Sequence, residues 1–291
     1  YIWFMMTPVQ DILSMQYSYA TAKAALGRIN KILDLKTEKN GHEKLQPNGL
    51  GVNIAIENLN FSYSKDKPLL RNISLDINAL DKVALIGPSG SGKTTLAQVI
   101  SGFYVKQSGQ IKYNDISIDD IDKGTLRNSI FLVLQMPILF NNTLRFNITM
   151  GNDAISDEDI YAALDTAQLG EMISTMSEGL DTVVGKHGIR LSGGQRQRLS
   201  IARMIIANPA IVIFDESTSA LDVHTESKLF DSLQEILKDK TVITIAHRLS
   251  TVKNANKIYV LNDGELVQSG THEELETEEG HYQDFLKNQL V

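Results

Sequence analysis

The sequence predicts an α/β fold in which a mixed, largely parallel sheet is combined with an antiparallel β-subdomain and an inserted α-helical subdomain. Four continuous apolar runs, separated by helical stretches, are typical of parallel strands covered on both faces. Alternating residues in 52–57 and 71–77 indicate the antiparallel layer. A glycine loop follows the first apolar run, and the helical subdomain is expected at about 137–191.

Composition narrows the class of protein. The chain has 291 residues, of which 42% are hydrophobic and 22% charged, enough for a large core with a helical subdomain. The formal net charge of −7 gives no general basic field, so we do not expect nucleic acid as a partner. The absence of cysteine excludes disulfides, cysteine-ligated zinc and thiol chemistry, and suits a reducing compartment.

The N-terminal residues depart from this globular pattern. Residues 1–10 carry no charge, and they make up about half of the length that a membrane-spanning helix needs. Apolar residues continue at helical spacing to residue 35, so we interpret 1–36 as the end of a transmembrane helix and its cytoplasmic extension. An ordinary amphipathic helix is the alternative. Turn signals predict a linker at 37–51, followed by one domain at 52–291.

Residues 87–95 have the spacing of a phosphate-binding loop, Gly87-x4-Gly92-Lys93-Thr94, between a strand and a helix. Glycines let backbone N–H groups turn toward an anion, Lys93 would reach the outer phosphates, and the Thr94 hydroxyl would bind Mg²⁺. A glycine-rich surface turn is the alternative, but such a turn would not account for the strand before the glycines and the helix after them. The predicted phosphate-binding residues are Gly87, Pro88, Ser89, Gly90, Ser91, Gly92, Lys93, Thr94 and Thr95.

The other apolar runs, at 130–134, 211–214 and 242–246, end in polar residues that suit phosphate chemistry. These are Gln135, the pair Asp215-Glu216, and His247, and they should converge because ligands bind outside the carboxyl ends of parallel strands. Asp215 suits a carboxylate that holds Mg²⁺, mostly through water. Glu216, on the opposite face, would orient the attacking water, and His247 would contact the terminal phosphate. Helix capping by the carboxylates and a structural histidine are the alternatives.

Two further features suggest ligand contacts. Ser192 and Gln195 have capping-box spacing at the start of a helix predicted to reach Ala207. The intervening Gly193 and Gly194 weaken a helix by about 1 kcal/mol each relative to alanine, so we interpret them as allowing close approach of a second anion. Tyr63 could stack on an adenine ring, although an aromatic residue near a strand is often simply packed.

Together these motifs resemble those of ATP-binding cassette (ABC) ATPases, over about residues 52–291. In chain order the matches are Tyr63 (aromatic loop), 87–95 (Walker A), Gln135 (Q-loop), 191–195 (LSGGQ signature), 211–216 (Walker B), 219–222 (D-loop) and His247 (switch histidine). The resemblance implies a P-loop NTPase core that binds ATP and Mg²⁺, the metal being held by Thr94, Gln135 and Asp215. It also implies head-to-tail pairing, as homodimer or heterodimer, in which each ATP lies between one chain's phosphate loop and the partner's Ser192, Gly193, Gly194 and Gln195.

Residues 139–148 and the tail at 266–290 resemble exporter cassettes that share a polypeptide with their membrane helices. The chain departs from that pattern at 185–188, where Lys186 and His187 replace the common acidic residue and arginine. The resemblance implies an ATP-hydrolysing motor domain at the cytoplasmic face of a cell inner or plasma membrane, with about six spanning helices upstream. A soluble cassette protein of translation or DNA repair and a phosphate-loop kinase are the alternatives.

Overall fold

The computed structural model describes the whole chain except residues 36, 46–50, 65–66, 187, 216–222, 247–248 and 290–291. It divides into two compact units, Tyr1–Lys39 and Asn40–Val291. The first unit is a single helix, α1 (Ile2–Leu33). Its large apolar side chains, among them Trp3, Ile12 and Ile29, are exposed. None of the helices in the described part of the chain is both long enough and apolar enough to span a bilayer.

The second unit holds all the strands and the remaining helices of the described residues. The strands are β1 (Ile54–Phe61), β2 (Leu70–Ile77), β3 (Lys82–Ile86), β4 (Ser108–Tyr113), β5 (Ile116–Ser117), β6 (Ile130–Val133), β7 (Asn142–Thr143), β8 (Val183–Val184), β9 (Ile211–Asp215), β10 (Thr241–Ile245), β11 (Lys257–Asn262) and β12 (Glu265–Gly270). The helices are α2 (Lys93–Ile100), α3 (Lys123–Ser129), α4 (Leu144–Thr149), α5 (Asp157–Thr166), α6 (Gly170–Ser174), α7 (Gly193–Ala207), α8 (Val223–Leu237), α9 (Leu249–Lys253), α10 (His272–Thr277) and α11 (His281–Gln289), with a 3₁₀ turn at Gly179–Asp181.

The central sheet has the strand order β12-β11-β3-β10-β9-β6. The four strands predicted from apolar runs are adjacent and parallel, with Val242 opposite Lys82 and Thr241 opposite Ile211. The α/β fold with a mainly parallel sheet is therefore confirmed. The sequence argument did not include β11, which is parallel to β3, or β12, which forms an antiparallel edge.

Burial explains why these strands read as continuous apolar runs. In β9, Ile211 and Ile213 face one hydrophobic cluster, shared with α2 and the antiparallel layer. Val212 and Phe214 face a second cluster, shared with α5, α7 and α8. Because side chains alternate along a strand, a strand covered on both faces needs an apolar residue at every position.

The antiparallel layer is confirmed and contains four strands, in the order β2-β1-β4-β5. Ile54 pairs with Ile77 on one side and with Tyr113 on the other. The inserted segment between β6 and α7 contains the helices α4, α5 and α6, and α4 and α5 pack on α7. This arrangement places the start of α7 beside the segment that follows β6.

Candidate functional site

The predicted phosphate loop connects the end of β3 at Ile86 to the start of α2 at Lys93. Two of its glycines are required by the geometry. Gly87 has φ +148°, and a Cβ there would lie 1.9 Å from the carbonyl oxygen of Leu261 in β11. Gly92 caps α2 in the left-handed conformation, with φ 104°. The backbone can therefore turn tightly against the neighbouring strand and enter the helix at once.

Lys93 is enclosed by the loop that precedes it. The residue is 6% exposed, and Nζ donates hydrogen bonds of 2.9 Å to the carbonyl oxygens of both Gly87 and Pro88. The ammonium group is thereby folded back over the loop at the N-terminus of α2, where the helix dipole adds partial positive charge. A cation and a helix start at one position form an arrangement suited to an anion.

Thr94 joins this loop to another strand end. Its Oγ1 donates a hydrogen bond of 3.1 Å to Oδ1 of Asp215, the last residue of β9. Asp215 is 5% exposed, whereas Thr94 is exposed, so the pair lies at the boundary between core and solvent. Hydroxyl and carboxylate oxygens are the hard ligands that Mg²⁺ prefers. Among the described residues, no three or more His, Cys, Asp or Glu side chains form a group that could hold a metal ion.

Gln135 and Tyr63 are two further predicted residues that the structure describes. Gln135 follows β6 by two residues and is exposed. Tyr63 follows β1, and its hydroxyl lies 3.1 Å from Oγ1 of Thr95 in the loop's helix, so the aromatic residue and the loop are joined directly. The catalytic residues predicted at Glu216 and His247, and the motif at 219–222, lie outside the described residues.

Ser192 and Gln195 form the predicted capping box at the start of α7. The Gln195 backbone N–H donates to Ser192 Oγ at 3.2 Å, and the Ser192 backbone N–H donates to Gln195 Oε1 at 2.7 Å. The helix ends at Ala207, as the sequence predicts. Gly193 and Gly194 occupy the first turn of α7 and are half-buried. Because glycine has no side chain, neither residue shields the backbone N–H groups of this turn from a ligand.

Contacts between α7 and the Gln135 segment were not anticipated from the sequence. The buried Gln197 donates from Nε2 to the carbonyl oxygen of Gln135 at 2.9 Å. Arg203 donates to the carbonyl oxygen of Ile138 and to Oδ1 of Asn147, both at 2.9 Å. Burial lowers the pKa of Arg203, because removal from water disfavours the charged guanidinium. The helix that begins at Ser192 is therefore tied at two points to the segment that carries Gln135.

Asn147 organises this segment from within the core. It is fully buried, donates to the carbonyl oxygens of Phe140 and Thr143, and accepts from the backbone N–H of Phe140. A polar residue between Phe146 and Ile148 is the sequence signal that could have identified it.

We expect Asn147→Ala to lower the free energy of unfolding by about 2–3 kcal/mol, because it removes the amide that pairs with the backbone of Phe140 and Thr143 and with Nη2 of Arg203. Denaturant unfolding measures the change. Asn254→Ala, at an exposed asparagine, is the matched control and should change stability by less than about 0.5 kcal/mol. Equal stability of the two variants would contradict the role given to Asn147.

Comparisons with known proteins identify the family to which the chain is similar. A model of the ABC transporter family matches residues 70–219, just over half of the chain. The chain is 40% identical over 282 residues to the ATP-dependent lipid A-core flippase of Photobacterium profundum, a match that covers 96% of the chain and 48% of the flippase. It is 39% identical over 280 residues to the leukotoxin export ATP-binding protein LtxB of Aggregatibacter actinomycetemcomitans, covering 96% of the chain and 40% of that protein.

Among solved structures, the chain resembles a bacterial Atm1-family ABC exporter with ATP bound. The TM-score is 0.86 at 33% sequence identity, and the match covers 94% of the chain and 48% of the exporter chain. The chain thus spans less than half the length of each of these proteins.

Proposed function

Because the chain belongs to the ABC transporter family, we propose that it is the ATP-binding and ATP-hydrolysing motor domain of an exporter. The observation that carries the proposal is the hydrogen bond between Thr94 and Asp215. This hydrogen bond links the phosphate loop, which follows β3, to the carboxyl end of β9. A binding site for a magnesium-bound triphosphate requires both elements.

We assign the chemistry to residues of this chain. Lys93 neutralises charge on the outer phosphates, and its position against two loop carbonyls holds it ready for that contact. Thr94, Asp215 and Gln135 are the proposed Mg²⁺ ligands; when bound, the metal supplies neutralisation of charge on the phosphate oxygens. Glu216 orients the attacking water and accepts its proton, and His247 contacts the terminal phosphate.

The second half of each ATP site comes from another cassette in this proposal. At the start of α7, the backbone N–H groups of Gly193 and Gly194 lie at a helix N-terminus and carry no side chains that would shield them from an anion. This stretch has no lysine equivalent to Lys93 of the phosphate loop. A partner's phosphate loop with its bound triphosphate would supply the missing elements. The pair is a homodimer or a heterodimer in which each ATP is enclosed by two chains.

We also propose that the domain belongs to a membrane protein. The flippase and the toxin exporter that this chain resembles are about twice its length or more. We propose that residues 1–36 continue a transmembrane domain, that 37–51 is a linker, and that the domain at 52–291 lies on the cytoplasmic face. The cargoes named for the relatives differ, a lipid in one and a toxin in the other, so the similarity supports export without assigning a cargo.

Product analysis with radiolabelled ATP tests the proposal. A hydrolase releases inorganic phosphate from Mg-ATP and leaves ADP, with no second phosphorylated species. Label that appears on another molecule would show a kinase instead. Absence of any ATP turnover by the purified full-length protein would contradict the motor function.

A further inference from the structure

Three aromatic rings form a partly exposed cluster near the phosphate loop: Phe61, Tyr63 and Tyr104 (the ring cluster). The ring of Tyr63 is nearly perpendicular to both of the other rings, with centroid distances of 5.1 Å to Phe61 and 5.2 Å to Tyr104 and interplanar angles of 86°. Phe61 and Tyr104 also contact each other, at 5.5 Å. Such edge-to-face geometry is favourable because the positive edge of one ring meets the negative face of another.

The ring cluster leaves Tyr63 accessible but fixed. Tyr63 is 58% exposed and Tyr104 40%, whereas Phe61 is 4% exposed and belongs to the core. The hydroxyl of Tyr63 is held by α2, through Thr95 at 3.1 Å and Gln98 at 3.4 Å. The side chain is thus restrained at its tip by the helix of the phosphate loop and along its ring by two other rings.

From this geometry we infer that Tyr104 is a positioning residue for Tyr63, presenting its ring for stacking on the base of a nucleotide. The inference rests on the proposed ATP site, and it adds a determinant of base recognition to it. An exposed tyrosine on a loop would otherwise lose rotamer freedom when a base stacks on it. A ring already restrained before binding avoids that cost.

Tyr104 is the contact of Tyr63 that can be removed cleanly. Phe61 is the last residue of β1 and is buried in the core, and Thr95 is buried in the first turn of α2, directly after the phosphate loop. Replacing either residue would therefore disturb more than the position of Tyr63. Tyr104 lies in the loop after α2, and its neighbour Phe103 is 68% exposed. Phe103 is therefore a matched control: an aromatic residue of the same loop that lies outside the ring cluster.

Two probes separate base binding from phosphate binding: ATP and inorganic tripolyphosphate, both with Mg²⁺. We expect Tyr104→Ala to weaken ATP binding about 2- to 10-fold, the range expected for one aromatic pair, and to leave tripolyphosphate binding unchanged. Tyr104→Phe keeps the ring and should bind ATP as the wild type does. Phe103→Ala should leave the affinity for both probes unchanged. Calorimetric titration of the purified chain measures all four proteins.

Several outcomes would overturn the inference. Equal weakening of both probes by Tyr104→Ala would show damage to the phosphate loop, and unchanged ATP binding would show no role at all. Loss of ATP affinity in Tyr104→Phe would point to the hydroxyl instead of the ring. In a Tyr63→Ala background, Tyr104→Ala should have no further effect, and an additive loss would contradict positioning through Tyr63. Failure of the proposed function is distinguishable, because the wild type would then bind neither probe.

Discussion

Replacing Lys93 by alanine is expected to reduce ATP hydrolysis roughly 100- to 1,000-fold, the usual effect of removing one group that stabilises charge in a transition state. The residue is almost fully buried, and its ammonium group is held by the carbonyl oxygens of Gly87 and Pro88. Alanine leaves the loop without its cation, so negative charge on the transferred phosphoryl group has no compensation at this position. Steady-state release of inorganic phosphate measures the loss.

Lys82 provides the matched control for this substitution. It stands at the opposite end of β3 and is exposed. Lys82→Ala should hydrolyse ATP at the wild-type rate, and both variants should retain the far-UV circular dichroism of the wild type. Wild-type turnover in Lys93→Ala would remove the phosphate loop from the mechanism.

Glu216→Gln should separate binding from turnover. Glu216 directly follows Asp215, the last residue of β9, and is our proposed base. Glutamine keeps the size of the side chain and loses its capacity to accept a proton. We expect hydrolysis to fall about 100- to 10,000-fold, the range of general base catalysis, while ATP affinity stays close to that of the wild type.

Single-turnover hydrolysis and equilibrium ATP binding are the two measurements that this substitution requires. Glu235→Gln, on an exposed position of α8, controls for the loss of one negative charge and should turn over ATP normally. A Glu216→Gln protein that hydrolyses ATP at the wild-type rate would require another residue as base. A variant that no longer binds ATP would place Glu216 in binding instead.

Local sequence patterns predicted the central strands and the start and end of α7 correctly, because each of these features depends on residues that are close together in the sequence. Continuous apolar runs identified the central parallel strands, since both faces of those strands are covered. The capping box at Ser192 and the end of α7 at Ala207 were also correct, because helix ends depend on side chains three or four residues apart.

Contacts between distant residues were beyond such reasoning. Gln197 reaches a carbonyl 62 positions earlier in the chain, and Arg203 reaches Asn147 across 56 positions. Tyr104 meets Tyr63 only because the loop after α2 returns to the end of β1. Hydrophobic periodicity predicts which face of a helix or strand is buried, but not which other element packs against that face. The complete order of strands in the sheets and the ring cluster could therefore be identified only from the structure.

Thermal unfolding with and without Mg-ATP tests the central claim most directly, namely that one magnesium-bound triphosphate binds where the strand ends and the phosphate loop meet. At about a hundred times the dissociation constant, ATP should stabilise the chain by about 2.7 kcal/mol, which corresponds to a rise in melting temperature of about 4–5 °C for a chain of this length. The rise should be largely lost in Lys93→Ala and retained in Lys82→Ala. A melting temperature that Mg-ATP leaves unchanged in the wild type would contradict the account.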